Sequence, residues 1–458
     1  MHAKTAVSVA IALMGLGGTL AAQAQSKVEL WGIVDVGIRH TNNEGADKGG
    51  LTKMIGGGMS QSRWGLNVEE DLGGGSKALA HVEHRFNADT GEKDATAPFF
   101  QLSYVGLQGP YGRLTMGRQW NVLFDVVTST YASFPYSPYM DAYKPELGMA
   151  AGARSSNSLK YTLSTPSRNW VGTLQYSFAE GNNTDALERG ALGTAATAQA
   201  AATPGAQAAA TAAGAAVLAG GGTNAAAAAA GSAAATQFVT RAIGAAVNAY
   251  GATAIPGVAG GALKQMGGFL RYSENGISVG GGFLRTELPG GSDLDAWTVG
   301  GSYRSGPLYV NLGYGLNKLK MERAAATDIA GSIRNATDRA LLGSLWGSTV
   351  AGSPNGGFQA GDADKRQMFK VGFGYQITPQ INAGLHYYHA KQSGGASGAY
   401  NGKADFMIAA ANYAFSKRTD AYFAVDHTRV SGGAGMAIDS ASMTRTRTGI
   451  TAGLRHRF

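Results

Sequence analysis

The chain has 458 residues, with 69 Gly, no Cys and a formal net charge of +8. Only 15% of residues are charged, well below the roughly 25% of ordinary globular domains, and the absence of Cys excludes disulfides, thiolate metal sites and a Cys nucleophile. Beyond the N-terminus no run reaches the roughly 18 apolar residues that a spanning helix needs.

In chain order, Lys4 gives a basic start, Ala6 to Leu20 an apolar run too short and Gly-interrupted for an anchor, and Ala22-Gln23-Ala24 a small-x-small site. Residues 1–24 are therefore read as a secretory signal peptide, with 25–458 as one domain. After it the chain repeats segments of about ten residues in which apolar side chains alternate with polar ones or Gly, the period of a strand. Sixteen such segments are predicted: 27–40, 61–70, 76–87, 99–108, 111–118, 155–164, 169–179, 263–274, 276–287, 293–304, 307–317, 366–376, 380–391, 403–415, 418–430 and 446–458. Leu308, Val310, Leu312, Tyr314 and Leu316 against Tyr309, Asn311, Gly313, Gly315 and Asn317 show the pattern.

A soluble sandwich and an outer-membrane barrel both produce this alternation. The aromatics separate them, because Tyr314, Tyr375, Trp297, Tyr303 and Phe415 recur on the apolar face near strand ends, where headgroup-level rings belong. Connections alternate too: short turns at 72–75, 109–110, 274–276, 305–307 and 378–379, and long segments near 41–60, 119–154, 181–262, 318–365, 392–402 and 431–445. The expected fold is an all-β, 16-stranded antiparallel transmembrane barrel, too wide for side chains to fill and therefore wet inside. The segment 181–262 is Ala-rich and of low complexity, unbroken Ala from 225 to 230. It reads either as a helical cap, from the helix propensity of Ala, or as a mobile surface loop; the loop is favoured because closure entropy grows slowly with length.

Several motifs add a resemblance: Leu30-Trp31-Gly32-Ile33-Val34-Asp35, Ser62-Arg63-Trp64-Gly65-Leu66, Glu70-Asp71-Leu72 followed by Gly73 to Gly75, Gly117-Arg118-Gln119, Arg154-x-x-Asn157-Ser158-x-x-Tyr161, and a terminal Gly453-Leu454-Arg455-His456-Arg457-Phe458. As an ordered set spanning most of the chain they resemble Gram-negative general diffusion porins of the betaproteobacterial type. That resemblance implies a homotrimer in the outer membrane, in contact with lipid and lipopolysaccharide. It further implies a water-filled channel for small hydrophilic solutes, narrowed by an inward-folded third outer loop at 119–154. The terminal Phe458 is, by the same resemblance, the signal read by the barrel-assembly machinery. The chain departs from the pattern at Trp31, where Tyr is common, at Pro145-Glu146-Leu147-Gly148, and in its long Ala-rich fourth loop.

Strand parity puts Glu29, Asp35 and Arg39 on one face, with Arg63, then His81, Glu83 and Arg85, then Arg113 and Arg154 also facing the lumen. Arg118 falls on the other face unless a bulge intervenes. The 119–154 loop supplies Asp125, Asp141 and Glu146, so a basic wall faces an acidic loop and sets a transverse field. At about 4 Å and an effective dielectric of about 20, one such pair attracts by roughly 4 kcal/mol. With about five inward Arg, weak anion preference is expected. The runner-up is a substrate-specific channel in which loop aromatics stack a solute; an outer-membrane barrel enzyme ranks lower.

Catalytic patterns fail on geometry. Gly276-Ile277-Ser278-Val279-Gly280 opens a hairpin strand with no helix after it, so it is no nucleophile elbow. His386 and His389 face opposite sides of a strand and cannot share a metal, and Glu69 and Glu70 also diverge. No Gly-rich phosphate loop joins a strand to a helix, and the dispersed basic residues lack the clustered surface that nucleic acid requires. The chain is read as a non-enzyme without cofactors.

Overall fold

The computed structural model describes residues 26–44, 47–93, 98–132, 152–179, 184–254, 263–288, 290–321, 338, 363–438 and 443–458. The expected leader at 1–24, and Asp141 and Glu146, lie outside them.

Among the described residues, seventeen antiparallel strand segments form one closed sheet. They are Lys27–Glu44 (β1), Gly49–Gly56 (β2), Arg63–Gly73 (β3), Ser76–Arg85 (β4), Phe100–Gly109 (β5), Gly112–Trp120 (β6), Arg154–Ser164 (β7), Trp170–Ser177 (β8), Lys264–Glu274 (β9), Ile277–Glu287 (β10), Asp293–Ser305 (β11), Leu308–Lys320 (β12), Lys365–Gln376 (β13), Ile381–Ser393 (β14), Gly402–Ala414 (β15), Thr419–Gly432 (β16) and Thr446–Arg457 (β17). One edge of β1 is divided between two partners. Its first half pairs with β3, from Lys27↔Glu69 to Ile33↔Arg63, and its second half with β2, from Val36↔Gly56 to Glu44↔Gly49. The ring therefore has sixteen positions, closed where β1 meets β17 from Ile33↔Arg457 to Thr41↔Gly449.

Each predicted strand coincides with an observed one. The addition is β2, inside the segment 41–60 that was expected to be a connection. Its flanking Gly49-Gly50 and Gly56-Gly57-Gly58 leave too short an apolar alternation to register as a strand in sequence.

Burial is inverted relative to a soluble protein. On β8, Leu174 is 69% exposed while its neighbours Thr173 and Gln175 are buried; on β11, Val299 is 57% exposed beside buried Thr298. Trp170, Tyr303, Tyr375, Tyr413 and Phe415 ring the short-turn end, and Trp297 and Phe369 stand towards the other. Six residues separate Tyr303 from Trp297, about 20 Å along a strand, close to the height of a lipid-facing band. At the β3–β4 turn Gly73, Gly74 and Gly75 all take positive φ (81°, 60° and 77°), a run that only Gly adopts without strain.

The Ala-rich segment corrects the favoured reading. It contains two helices, Thr184–Ala219 and Asn224–Ala254 (α2 and α3; α1 is Val122–Thr130), packed antiparallel on each other. Ala has the strongest helix propensity, and over 36 and 31 residues that preference outweighs the entropy of a coil. The turn is encoded as well: Gly221 has φ 79°, and Thr223 caps α3 by accepting the Ala226 N–H at 3.2 Å. Small residues bring the backbones together; a Cβ on Gly231 would lie 2.9 Å from the Ala210 carbonyl oxygen, and the Phe238 ring lies against Gly205.

Because each helix takes the other as its main partner, excising 184–254 should leave the barrel intact. We expect the 222 nm circular dichroism band to collapse while the heat-modifiable barrel band on gels persists; loss of that band would show that the hairpin supports the wall.

Candidate functional site

The 119–154 segment begins with a helix pinned against the inner wall. The Asn121 side chain caps α1, its Oδ1 accepting the Phe124 N–H at 2.9 Å, and the Val122 N–H donates to Gln175 Oε1 at 2.9 Å. Val122, Leu123, Val126 and Val127 have no exposed surface, and Val122 and Leu123 pack on Leu284, Ala296 and Phe269, on the face opposite the exposed Val279 and Trp297. The seat is made of glycine. Gly280, Gly300 and Gly313 are register neighbours across β10, β11 and β12. A Cβ on Gly300 or Gly313 would lie 2.6 Å from the Tyr131 ring, and one on Gly280 would lie 3.0 Å from Val126. The wall also caps the helix end, with Arg271 donating to the Ser129 carbonyl at 3.3 Å and Tyr309 to the Ala132 carbonyl at 2.7 Å.

A basic sector adjoins the start of α1. Register places Arg63, Gly65 and Asn67 opposite Arg85, Glu83 and His81, so these side chains share the inner face with Trp31, which pairs with Gly65. Buried Glu83 lies between Arg85 (3.4 Å) and Arg63 (3.8 Å). The Arg154 guanidinium stands 3.7 Å from the Trp120 ring centre and Arg85 5.8 Å from it, while Trp120 stacks on Phe124 of α1 at 3.6 Å. Towards the short-turn end Trp31, His81 and Tyr104 form a stacked rack (5.9 and 5.1 Å between ring centres). Arg63 lies 6.0 Å from the Trp31 ring and Arg113 5.9 Å from Tyr104.

Thus, among the described residues, one sector holds Arg63, Arg85, Arg113 and Arg154, with Glu83 between Arg63 and Arg85, inside a lipid-faced cylinder. The family model of Gram-negative porins matches residues 6–332 and 234–433. The chain belongs to that family.

Curated relatives include an outer-membrane porin of Bordetella pertussis, 32% identical over 44% of this chain and 54% of its own length. Outer membrane porin protein 32 of Delftia acidovorans is 34% identical over 33% and 44%. The chain thus spans about half the length of the curated relatives it matches. Among solved structures the fold is shared with an anion-selective porin from Comamonas acidovorans (19% identity, TM-score 0.58, 95% of this chain and 100% of that one). It is also shared with the trimer form of OmpT of Vibrio cholerae (12%, TM-score 0.52, 94% and 99%).

Within this porin, Arg39 faces inward but does not reach water. It is 0% exposed, binding both carboxylate oxygens of Asp426 (2.6 and 3.0 Å) and Thr451 Oγ1 (2.8 Å). Asp35 is equally enclosed, accepting the N–H groups of Gly58, Met59 and Ser60 and the Tyr422 hydroxyl (2.6 Å). Arg455 forms a two-pronged pair with Asp420 (2.9 and 2.6 Å). Met59, Met436 and Ile438 from two inward-folded connections join Phe406 and Ile408 in an apolar cluster beside this network. Asp125 forms its ion pair with Lys160; packing of α1 against the wall desolvates its carboxyl and pushes it above the usual range, opposed by Lys160 and by the charge of Arg113. Lys160 also donates to the Trp120 carbonyl at 2.9 Å. Arg118 sits at a bulge, at Gly117 (φ 129°), and donates to the Gln101 carbonyl (3.1 Å) and Ser156 Oγ (2.6 Å).

Sequence reading missed Lys160 and Lys370, whose Nζ lies 4.5 Å from the Tyr131 ring centre. Both were legible by parity, between the outward pairs Leu159/Tyr161 and Phe369/Val371.

Removing one partner of the sealed pair isolates a buried charge. Asp426→Ala is expected to lower unfolding free energy by about 3–5 kcal/mol, read as a lower heat-dissociation temperature, with ion selectivity unchanged. Altered selectivity would return Arg39 to the filter.

Proposed function

We propose that this porin is a passive diffusion channel for small hydrophilic solutes and ions, weakly anion-selective, working as a homotrimer. The observation that carries the reading is the inner sector of Arg63, Arg85, Arg113 and Arg154 facing one buried carboxylate, Glu83. Low-dielectric walls focus that field into the lumen, so an anion gains and a cation loses on entry. α1 and its Asp125 form the constriction side that the described residues provide. Tyr131, buried in the glycine seat, positions this segment and is not free to stack a solute. A trimer is supported by the trimer form of the Vibrio cholerae OmpT fold, and outer-leaflet lipopolysaccharide is the natural neighbour of the exposed belt.

Zero-current potentials in a potassium chloride gradient test selectivity. The wild type should favour chloride, and Arg63→Gln with Arg85→Gln and Arg154→Gln should lower the chloride-to-potassium permeability ratio by about fivefold. Cation preference in the wild type would overturn the assignment.

Phe458 has two roles to separate. Its backbone exchanges hydrogen bonds with Gly32 (3.1 Å each way) and its ring lies on that glycine, sealing the β1–β17 seam. As an address for the barrel-assembly machinery, its deletion should reduce the amount of assembled trimer in cells while the channels that form keep their unit conductance. Normal assembly would refute the address.

A further inference from the structure

The outward ends of the strands on the long-connection side carry an arrangement that channel function does not use. Lys318 of β12 stands directly opposite Lys365 of β13, and Lys391 of β14 directly opposite Lys403 of β15. Gln367 pairs with Lys391, so Lys365 and Lys391 are diagonal neighbours. The four lysines thus form a row across four strands, about 5 Å at each direct step and roughly 7–8 Å at the diagonal one. All four share the face of Tyr314, Phe369, Tyr387 and Met407, which is the lipid-facing side, and Lys318, Lys391 and Lys403 are exposed.

Like charges directly opposite on an antiparallel pair destabilise it. Other lysines near strand ends have acids: Lys77 with Glu69, Lys264 with Glu287 at 2.8 Å, Lys320 with Asp295 at 2.6 Å. Among the described residues none of the four row lysines has a carboxylate within ion-pair distance. Of the acids beside the row, Asp295 stands opposite Lys318 in register but is held by Arg285 and Lys320 (2.6 Å each), and Asp405 is occupied by His389 (2.7 Å) and the Tyr387 hydroxyl (2.6 Å). Four residues below the row, on the same face, stand Tyr314, whose hydroxyl accepts a hydrogen bond from Gln367 at 2.7 Å, Phe369, Tyr387 and Met407. Positive charge above and rings and methylenes beneath is the profile of a phosphorylated headgroup with its acyl chains.

We propose that the outward rim of β12–β15 is a binding site for the phosphorylated headgroup of an outer-leaflet glycolipid, with Lys318, Lys365, Lys391 and Lys403 as phosphate ligands. This rests on the outer-membrane porin reading, which places the long connections on the outside. Phosphate supplies the counter-charge that the row lacks, and the tightly spaced lysines favour a bis-phosphorylated lipid over a monophosphorylated one.

Binding of bis-phosphorylated lipid A, monophosphoryl lipid A and phosphatidylcholine to the full-length protein in neutral detergent, followed by native mass spectrometry, tests it. The wild type should retain the bis-phosphorylated lipid most strongly. The variant Lys318→Gln, Lys365→Gln, Lys391→Gln, Lys403→Gln should bind it at least about tenfold more weakly, while Lys264→Gln binds as wild type. Because the substitutions relieve repulsion, the fourfold variant should also unfold at a higher temperature than wild type in lipid-free detergent. Equal retention by wild type and the fourfold variant, or equal retention of all three lipids, would overturn the site. Planar-bilayer conductance separates this from channel function: channel-forming wild type with no lipid preference sinks only the lipid site, and a wild type that forms no channels sinks the diffusion reading.

Discussion

A strand in hydrocarbon has no water to satisfy its N–H and C=O groups, and each unpaired group costs several kcal/mol. That constraint makes the seam between β1 and β17 the bond on which everything else depends. Closing it requires strands long enough to span, a consistent lipid-facing parity, and chain ends that meet. The last residue meets the first strand: Phe458 trades backbone bonds with Gly32, and Gly32 is a glycine because the terminal ring occupies the place of its side chain. A sequence with a side chain there would have to move the ring or open the seam.

Closure at sixteen positions creates an interior that the wall's own side chains cannot fill. The chain fills it from its connections. α1 enters on the β9–β12 side, where inward Gly280, Gly300 and Gly313 provide a hollow one residue wide across three strands. On the other side the connections after β2 and β16 enter with Met59, Met436 and Ile438, beside the Asp35, Arg39 and Asp420 networks. Buried ion pairs are poor sources of net stability, but here the alternative partner is lumen water rather than oil, and the pairs hold strands far apart in sequence in one register. Arg39 and Asp426 join β1 to β16 across β17.

Period-two alternation was strong enough in the sequence to locate the wall, because lipid on one side and water on the other impose it residue by residue. It failed where no such alternation exists. β2 is eight residues that begin and end in glycine, and α1 is a helix whose apolar residues, Val122, Leu123, Val126 and Val127, read in sequence as part of a loop. In the Ala-rich segment the slow growth of closure entropy with length favours a loop, but it leaves out that two helices of more than thirty residues packing through Gly and Ala stabilise each other. For the interior, parity correctly assigns facing but not depth. Arg39 and Arg63 look alike in sequence, two inward arginines on adjacent strands, yet one is sealed against Asp426 and the other lies 6.0 Å from a Trp ring in a basic sector. The difference is set by β16, nearly four hundred residues away, and no local pattern carries it.

The same distinction governs what the +8 net charge means. A solute does not meet a net charge; it meets what remains after local neutralisation. Arg39 with Asp426, Arg455 with Asp420, Lys160 with Asp125 and Lys264 with Glu287 cancel in place. Two of the sets that remain face different phases: the arginine sector inside, around Glu83, and the lysine row outside, on β12–β15. Each charge set is screened only by its own medium, so the two are electrically independent beyond about a Debye length of 10 Å at 0.1 M salt. Raising salt should therefore weaken selectivity and lipid adhesion by separate routes, and a change in one sector need not alter the other. One barrel wall, two residues thick in sequence parity, thus carries two charge programmes with opposite audiences.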